Sequence, residues 1–194
     1  MSSPTPENWI AVKRIFRYLV GTPAVGLWFR KDASSTMPFL HCSSDADWAG
    51  DVESRKSTSG YACFVGGAHV SWGSRKQSIV ALSTMEAEYV ALSSAVREVL
   101  SLRSLLFELG FSTDGATVYT DNTPAKFLAE NHVATPRSKH IGIRYHFLQD
   151  VHARSLVKFS WIPSVQQLAD IFTKFLSREV FERLRGGLVG EGAE

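Results

Sequence analysis

The order of strand-like and helical segments is the feature that most constrains the fold of this chain. β-rich runs predict five strands, over 38–44, 61–65, 69–72, 117–120 and 156–162. Gly66-Gly67 favours a hairpin between the second and third of them. A long helical segment, 84–109, separates the first three strands from the last two, which alternate with further helices. This order predicts an α/β domain with a mixed five-stranded sheet flanked by helices, in which some strands pair in parallel.

Capping patterns predict the limits of two helices. Ser83 and Glu86 fit a capping box, in which Glu86 reaches back to the backbone N–H of Ser83, and Gly110 follows the end of that helix. Ser164 and Gln167 fit a second capping box. This second box predicts one continuous final helix with an apolar face formed by Leu168, Phe172, Phe175 and Leu176.

The two ends of the chain are expected to lie outside the main domain. Residues 6–20 carry apolar side chains at helical spacing and predict an amphipathic helix. With 194 residues the chain can form one sizeable core with a modest appendage. We expect an N-terminal helix and linker over 1–37, the main domain over 38–185 and a flexible tail over 186–194.

Composition is typical of an intracellular globular protein. Hydrophobic residues make up 44% and charged residues 21% of the chain. No apolar run approaches the ~18 residues needed to span a bilayer, and the first residues lack the apolar core of a signal peptide. We therefore expect no membrane partner and an intracellular location, in a cytoplasmic particle or the nucleus. Cys42 and Cys63 are expected to be buried, reduced thiols.

Charge is unevenly distributed along the chain. Residues 122–161 hold six basic but only two acidic residues, whereas residues 45–53 hold four acidic ones. The net charge of +2 says little by itself. A basic stretch together with an acidic spot suits an enzyme that binds phosphates and holds cations.

Four acidic residues fall at the ends of predicted elements. Asp45 ends the first strand, Glu88 lies near the start of the long helix, Asp121 follows a strand, and Asp170 lies near the start of the last helix. Strand ends and helix starts converge at one edge of an α/β sheet. Carboxylates gathered there repel one another unless cations lie between them, and oxygen ligands favour Mg²⁺ or Mn²⁺. Metal-assisted phosphodiester hydrolysis is the chemistry that this pattern indicates.

Each of these residues also has a structural alternative. Asp45 and Asp47 fit a turn, Asp121 fits a helix start, and Asp170 fits a solvated helix position. Glu86 is better explained as the capping partner of Ser83, which leaves Glu88 without a structural role.

Several longer motifs resemble the ribonuclease H domain of copia-type long-terminal-repeat retrotransposons. The similarity covers about residues 38–178 and is carried by 44–50, 55–61, 72–92, 119–122, 139–147 and 167–174. Residues 8–22 are similar to the tail of the reverse transcriptase in the same polyproteins. The resemblance implies a ribonuclease H-like fold and an endonuclease that cuts the RNA strand of RNA–DNA hybrids. It also implies the reverse transcriptase domain as a partner.

The resemblance assigns a role to each carboxylate. It implies a set of two Mg²⁺ ions, with Mn²⁺ as a substitute, in which Asp45 holds both, Glu88 and Asp121 hold one, and Asp170 holds the other. Glu88 is preferred to Glu86 because the residues after it match the family, and Asp47 is second to Asp45 for the same reason. Candidate contacts to the hybrid backbone are Arg137, Lys139, His140 and Arg144; the alternative for these four is a solvated basic helix face.

Some positions depart from the family pattern, all in the connecting segment. Gly142 replaces the usual Asp, His132 follows Asn131 where Pro is usual, and the His expected near Thr135 is missing. These changes bear on substrate binding more than on metal binding. A zinc site is not expected, because the histidines at 140, 146 and 152 recur every six residues and no cysteine joins them.

Two functions of different classes remain open from the sequence. One is an active hybrid-specific endonuclease, which the presence of all four carboxylates favours. The other is a decayed or co-opted remnant of a retroelement that binds nucleic acid or protein without cutting.

Overall fold

The main sheet of the protein has five strands. The computed structural model of the chain describes residues 4–29, 37–113, 115–131 and 142–191. The strands are β2 Leu40–Asp47, β3 Thr58–Val65, β4 Ala68–Lys76, β5 Thr117–Thr120 and β6 Lys158–Trp161. Their order across the sheet is β4-β3-β2-β5-β6. The first three pair antiparallel and the last three parallel, so the predicted mixed sheet is confirmed.

The β3–β4 hairpin turns at the two predicted glycines. Gly66 and Gly67 have φ angles of +57° and +82°. A side chain at these angles would be strained, which explains why glycine stands at both positions.

The described residues form five α-helices. They are α1 Pro6–Gly21, α2 Thr84–Glu108, α3 Thr123–Glu130, α4 Gly142–Ala153 and α5 Arg178–Gly186. Cys63 belongs to the buried cluster that contains the apolar residues of α2, α3 and α4, whereas its neighbours Ala62 and Phe64 cluster with the chain after residue 167. Side chains alternate along a strand, so these two clusters lie on opposite faces of the sheet. Helix α2 lies on the first face, with Tyr89, Leu92, Val96 and Val99 fully buried.

The predicted continuous final helix is wrong. The segment instead forms two short 3-10 helices, Ser164–Gln166 and Leu168–Phe172, and α5 starts later with Ser177 as its N-cap. Ser164 does not cap a helix, because its hydroxyl donates to Asp121. Gln167 is fully buried and its amide donates to the carbonyl of Ser44. Phe175, expected on the apolar face, is fully exposed.

The chain after residue 185 is part of the fold as far as Glu191. Leu188 is buried against Ala62 and Phe64. A short strand β7, Gly190–Glu191, pairs antiparallel with β1, Val25–Gly26. The expected flexibility of residues 186–194 stays a prediction, and residues 192–194 lie outside the described part. The division at residue 37 stays a prediction.

Two expectations from composition can be compared with the structure. Cys42 and Cys63 are free and buried on neighbouring strands, as expected. In the described ranges, no helix combines the length and apolarity that crossing a membrane requires.

Candidate metal centre

Asp45 lies at the centre of the site. It is the sixth residue of β2, and its side chain is fully buried. β3 places Gly60 directly opposite. A Cβ atom at Gly60 would lie 2.6 Å from Thr173 Cγ2 and 3.0 Å from the carbonyl oxygen of Ala169. Glycine at this position therefore lets the 169–173 segment pack against the strand that carries Asp45.

Asp45, Glu88 and Asp121 converge at one edge of the sheet. β2 and β5 run parallel, with Ser43 opposite Tyr119, so two more residues bring Asp45 and Asp121 to the same strand end. Glu88 is buried in the second turn of α2. One carboxylate oxygen from each of the three residues lies within 4.8 Å of the others. This spacing allows the three oxygens to share one cation.

Asp170 faces the same centre through a lysine. Lys174 Nζ lies 2.7 Å from Asp170 Oδ1 and 3.0 Å from Asp45 Oδ1. Thr173 donates its hydroxyl hydrogen bond to the other oxygen of Asp45, Oδ2. The fourth predicted carboxylate is thus next to Asp45, with an ammonium group between the two.

The electrostatics of the site reflect crowded negative charge. Burial, followed by the charges of Asp45 and Asp121, raises the pKa of Glu88 to about 9. Burial also raises the pKa of Asp170 to about 6, although the hydrogen bond from Lys174 opposes the change. Burial alone would lower the pKa of Lys174, but hydrogen bonds and charges from Asp170 and Asp45 outweigh it and raise that pKa.

The donor set fits a divalent cation. Oε2 of Glu88 is buried and has no hydrogen-bond partner among the described residues. An unsatisfied buried carboxylate oxygen is costly, and a cation shared with Asp45 and Asp121 would satisfy it. All four candidate ligands offer oxygen atoms, which suits Mg²⁺ or Mn²⁺.

The two alternative carboxylates lie elsewhere. Oε2 of Glu86 accepts from the N–H of Leu82 at 2.7 Å, and Ser83 Oγ accepts from the N–H of Glu86 at 3.2 Å. Ser83 therefore caps the helix as predicted. The carboxylate of Glu86, however, accepts from the N–H of Leu82 rather than from the predicted N–H of Ser83. Asp47 is only partly buried at the end of β2, where burial and then the charge of Asp45 raise its pKa.

Comparison with known proteins identifies homologues of nearly the whole chain. The retrovirus-related Pol polyprotein from transposon RE2 of Arabidopsis thaliana is 39% identical over 183 residues, which is 94% of this chain and 12% of that protein. The Pol polyprotein from transposon TNT 1-94 of Nicotiana tabacum is 38% identical over 182 residues, again 94% of this chain and 13% of that protein. Over nearly its whole length the chain is homologous to a segment of copia-type retrotransposon Pol polyproteins. It spans only a small part of these relatives. No family model matches it.

A solved structure supports the predicted fold. LC11-RNase H1, solved with an RNA/DNA hybrid, has a TM-score of 0.51 and 15% identity to this Pol segment, over 69% of this chain and 93% of that chain. At this identity the similarity shows the fold, which confirms the predicted ribonuclease H-like architecture.

Of the four residues predicted to contact nucleic acid, one lies in the described part of the chain. Arg144 lies on α4 and is partly buried. Arg137, Lys139 and His140 lie outside the described residues. In the described ranges, no histidine joins a group of possible metal ligands.

Sequence reasoning assigned no role to Thr173 and Lys174, although both stand in one of the quoted motifs. The spacing of Asp170 and Lys174 is a usable signal, because residues four apart face each other on a helical turn. The contacts with Asp45 span 128 and 129 residues. No local sequence pattern predicts contacts over such a separation.

Proposed function

We propose that this chain hydrolyses the RNA strand of RNA–DNA hybrids with two divalent metal ions. The observation that carries the proposal is the convergence of Asp45, Glu88 and Asp121 within 4.8 Å at a sheet edge. Asp170 adjoins them through Lys174. The family and the fold support a nuclease of the ribonuclease H type.

The residues of the site would divide the work between two ions. Asp45 would hold both, Glu88 and Asp121 the first, and Asp170 the second. When bound, such ions activate a water molecule and stabilise the leaving oxygen of a phosphodiester. Thr173 holds Oδ2 of Asp45, and Ser164 Oγ holds Oδ2 of Asp121 at 2.6 Å. These hydrogen bonds fix the orientation of both carboxylates before any ligand binds.

The proposed partners are the hybrid and the reverse transcriptase domain of the same polyprotein, in a cytoplasmic particle or the nucleus. Arg137, Lys139, His140 and Arg144 are proposed to bind the hybrid backbone. The charged arginine and lysine side chains and the imidazole of His140 can all donate hydrogen bonds to phosphates, and such contacts position the substrate without reading its sequence.

A cleavage assay tests the proposal. The chain is incubated with an RNA–DNA hybrid labelled on the RNA strand, and with single-stranded RNA and duplex DNA of the same sequence. We expect RNA cleavage in the hybrid only, in Mg²⁺ or Mn²⁺ and not in EDTA. Hybrid binding without cleavage at any concentration of either ion would favour the remnant that binds without cutting.

A further inference from the structure

Lys174 is the one cation in direct contact with the acidic centre among the described residues. Its ammonium group contacts Asp45 and Asp170 at 3.0 and 2.7 Å. Asp45 is fully buried, so its charge is costly without a partner. Lys174 supplies that partner.

The two carboxylates that bind Lys174 are the two assigned to the second metal ion. Glu88 and Asp121, the other two residues assigned to the first ion, form no ion pair among the described residues, and a buried oxygen of Glu88 has no hydrogen-bond partner there. Lys174 therefore neutralises the pair assigned to the second ion, Asp45 and Asp170, but makes no direct contact with Glu88 or Asp121.

Lys174 can leave without unfolding the site. Its side chain is 35% exposed, and a lysine stem is long and flexible. Asp45 stays oriented when Lys174 leaves, because Thr173 holds its other oxygen.

We propose that Lys174 occupies the second metal position in the metal-free protein and makes metal loading sequential. The first ion binds to Asp45, Glu88 and Asp121, and the second binds only when the ammonium group of Lys174 moves out from between Asp45 and Asp170. This inference rests on the two-metal site of the proposed function.

Titration of the full chain with Mn²⁺ alone, by calorimetry and by counting bound ions, tests the proposal without an activity assay. Lys174→Met removes the charge and keeps the length of the side chain, whereas Lys174→Arg keeps the charge. Lys126→Met is the matched control, because Lys126 also pairs with an acid four residues away, Glu130, at 2.7 Å on α3.

We expect wild type, Lys174→Arg and Lys126→Met to bind one ion clearly more tightly than a second. Lys174→Met should bind the second ion at least about tenfold more tightly, because a unit charge a few ångströms away is removed, with a smaller change at the first. Thermal melting without metal should show Lys174→Met less stable than Lys126→Met, and addition of Mn²⁺ should reverse the order.

Three results would overturn the inference. Unchanged second-ion affinity in Lys174→Met, with wild type binding two ions, would overturn it and leave the proposed function standing. Equal tightening in Lys174→Arg would show that the charge of Lys174 is not the cause. Absence of saturable Mn²⁺ binding in wild type would overturn both this inference and the proposed two-metal function. If Lys174→Met does not fold, Lys174→Gln serves for the same measurement.

Discussion

The two halves of the candidate metal centre are built differently. Asp45, Glu88 and Asp121 stand on or beside regular elements, β2, α2 and β5, whose pairing and packing fix them. Asp170, Thr173 and Lys174 stand on a short 3-10 segment and the residues after it. In the regular half, Glu88 and Asp121 form no ion pair among the described residues, whereas the irregular half carries Lys174, which pairs with Asp170 and reaches across to Asp45. We infer that the first half stores electrostatic repulsion for metal binding, whereas the second is neutralised until metal displaces Lys174.

The largest effect is expected from removing a charge in the regular half. Glu88→Gln keeps the shape of the side chain and should lower hybrid cleavage by about 10³-fold or more, because an ion ligand is lost. The same change should stabilise the metal-free protein at pH 7 by about 1–3 kcal/mol, since a buried amide has no proton to gain on folding. Glu98→Gln, further along α2, is the control. Loss of cleavage without a gain in the stability of the metal-free protein would contradict the proposed difference between the two halves.

The next effect should fall on the irregular half. Gly60→Ala places a Cβ atom 2.6 Å from Thr173 Cγ2, so the 169–173 segment must shift away from β3. We expect a loss of about 1–3 kcal/mol in the free energy of unfolding, measured by urea denaturation. Weakened second-ion binding with the first ion retained would sharpen the distinction between the halves. Equal loss of both ions would contradict it.

The pH dependence of stability should distinguish the halves without mutation. Folding raises the pKa of Glu88 from 4.5 to about 9, so the folded state holds a proton that the unfolded state releases. Stability of the metal-free protein should therefore fall as pH rises through that window. Asp170, raised from 3.8 to about 6, adds a fall of the same sign at lower pH.

Melting temperatures measured from pH 5 to 9 in EDTA check this pH dependence. A chain of this size loses about 2–4 °C for each kcal/mol. Glu88→Gln should flatten the curve above pH 6, and saturating Mg²⁺ should do the same in wild type. A wild-type melting temperature that rises with pH in EDTA would contradict the raised pKa values of Glu88 and Asp170.

The smallest effect concerns binding rather than chemistry. Arg144→Ala should weaken hybrid binding and reduce its slope against log salt by about one unit, as loss of one phosphate contact does. Arg154→Ala is the control, because Arg154 directly follows α4 but pairs with Asp150. Binding measured at several salt concentrations with an unchanged slope for Arg144→Ala would return this residue to the solvated helix face.

Sequence reasoning succeeded where local patterns determine structure. The five strands, the hairpin at Gly66-Gly67 and the long helix follow from periodicity, glycine and capping, all of which act over a few residues. These elements place Asp45, Glu88 and Asp121 at one edge. Their convergence could therefore be predicted from the order of elements.

Sequence reasoning failed where contacts between residues far apart in the chain determine the structure. Ser164 and Gln167 fit a capping box locally, yet they bind Asp121 and Ser44, which lie 43 and 123 residues away. The pairing of β1 with β7 likewise joins distant segments, and no local sequence pattern predicts it. Lys174 escaped notice for the same reason, because its contact with Asp45 spans 129 residues.

The most direct test of the two-metal account is hybrid cleavage by Asp121→Asn. The variant keeps the shape of the side chain and removes one metal-binding charge from the regular half. Single-turnover cleavage should fall by about 10³-fold or more relative to wild type, while hybrid binding and the folded far-ultraviolet spectrum persist. Asp150→Asn, at an exposed position of α4, should cleave as wild type does. Cleavage by Asp121→Asn at a rate close to that of wild type would contradict the account.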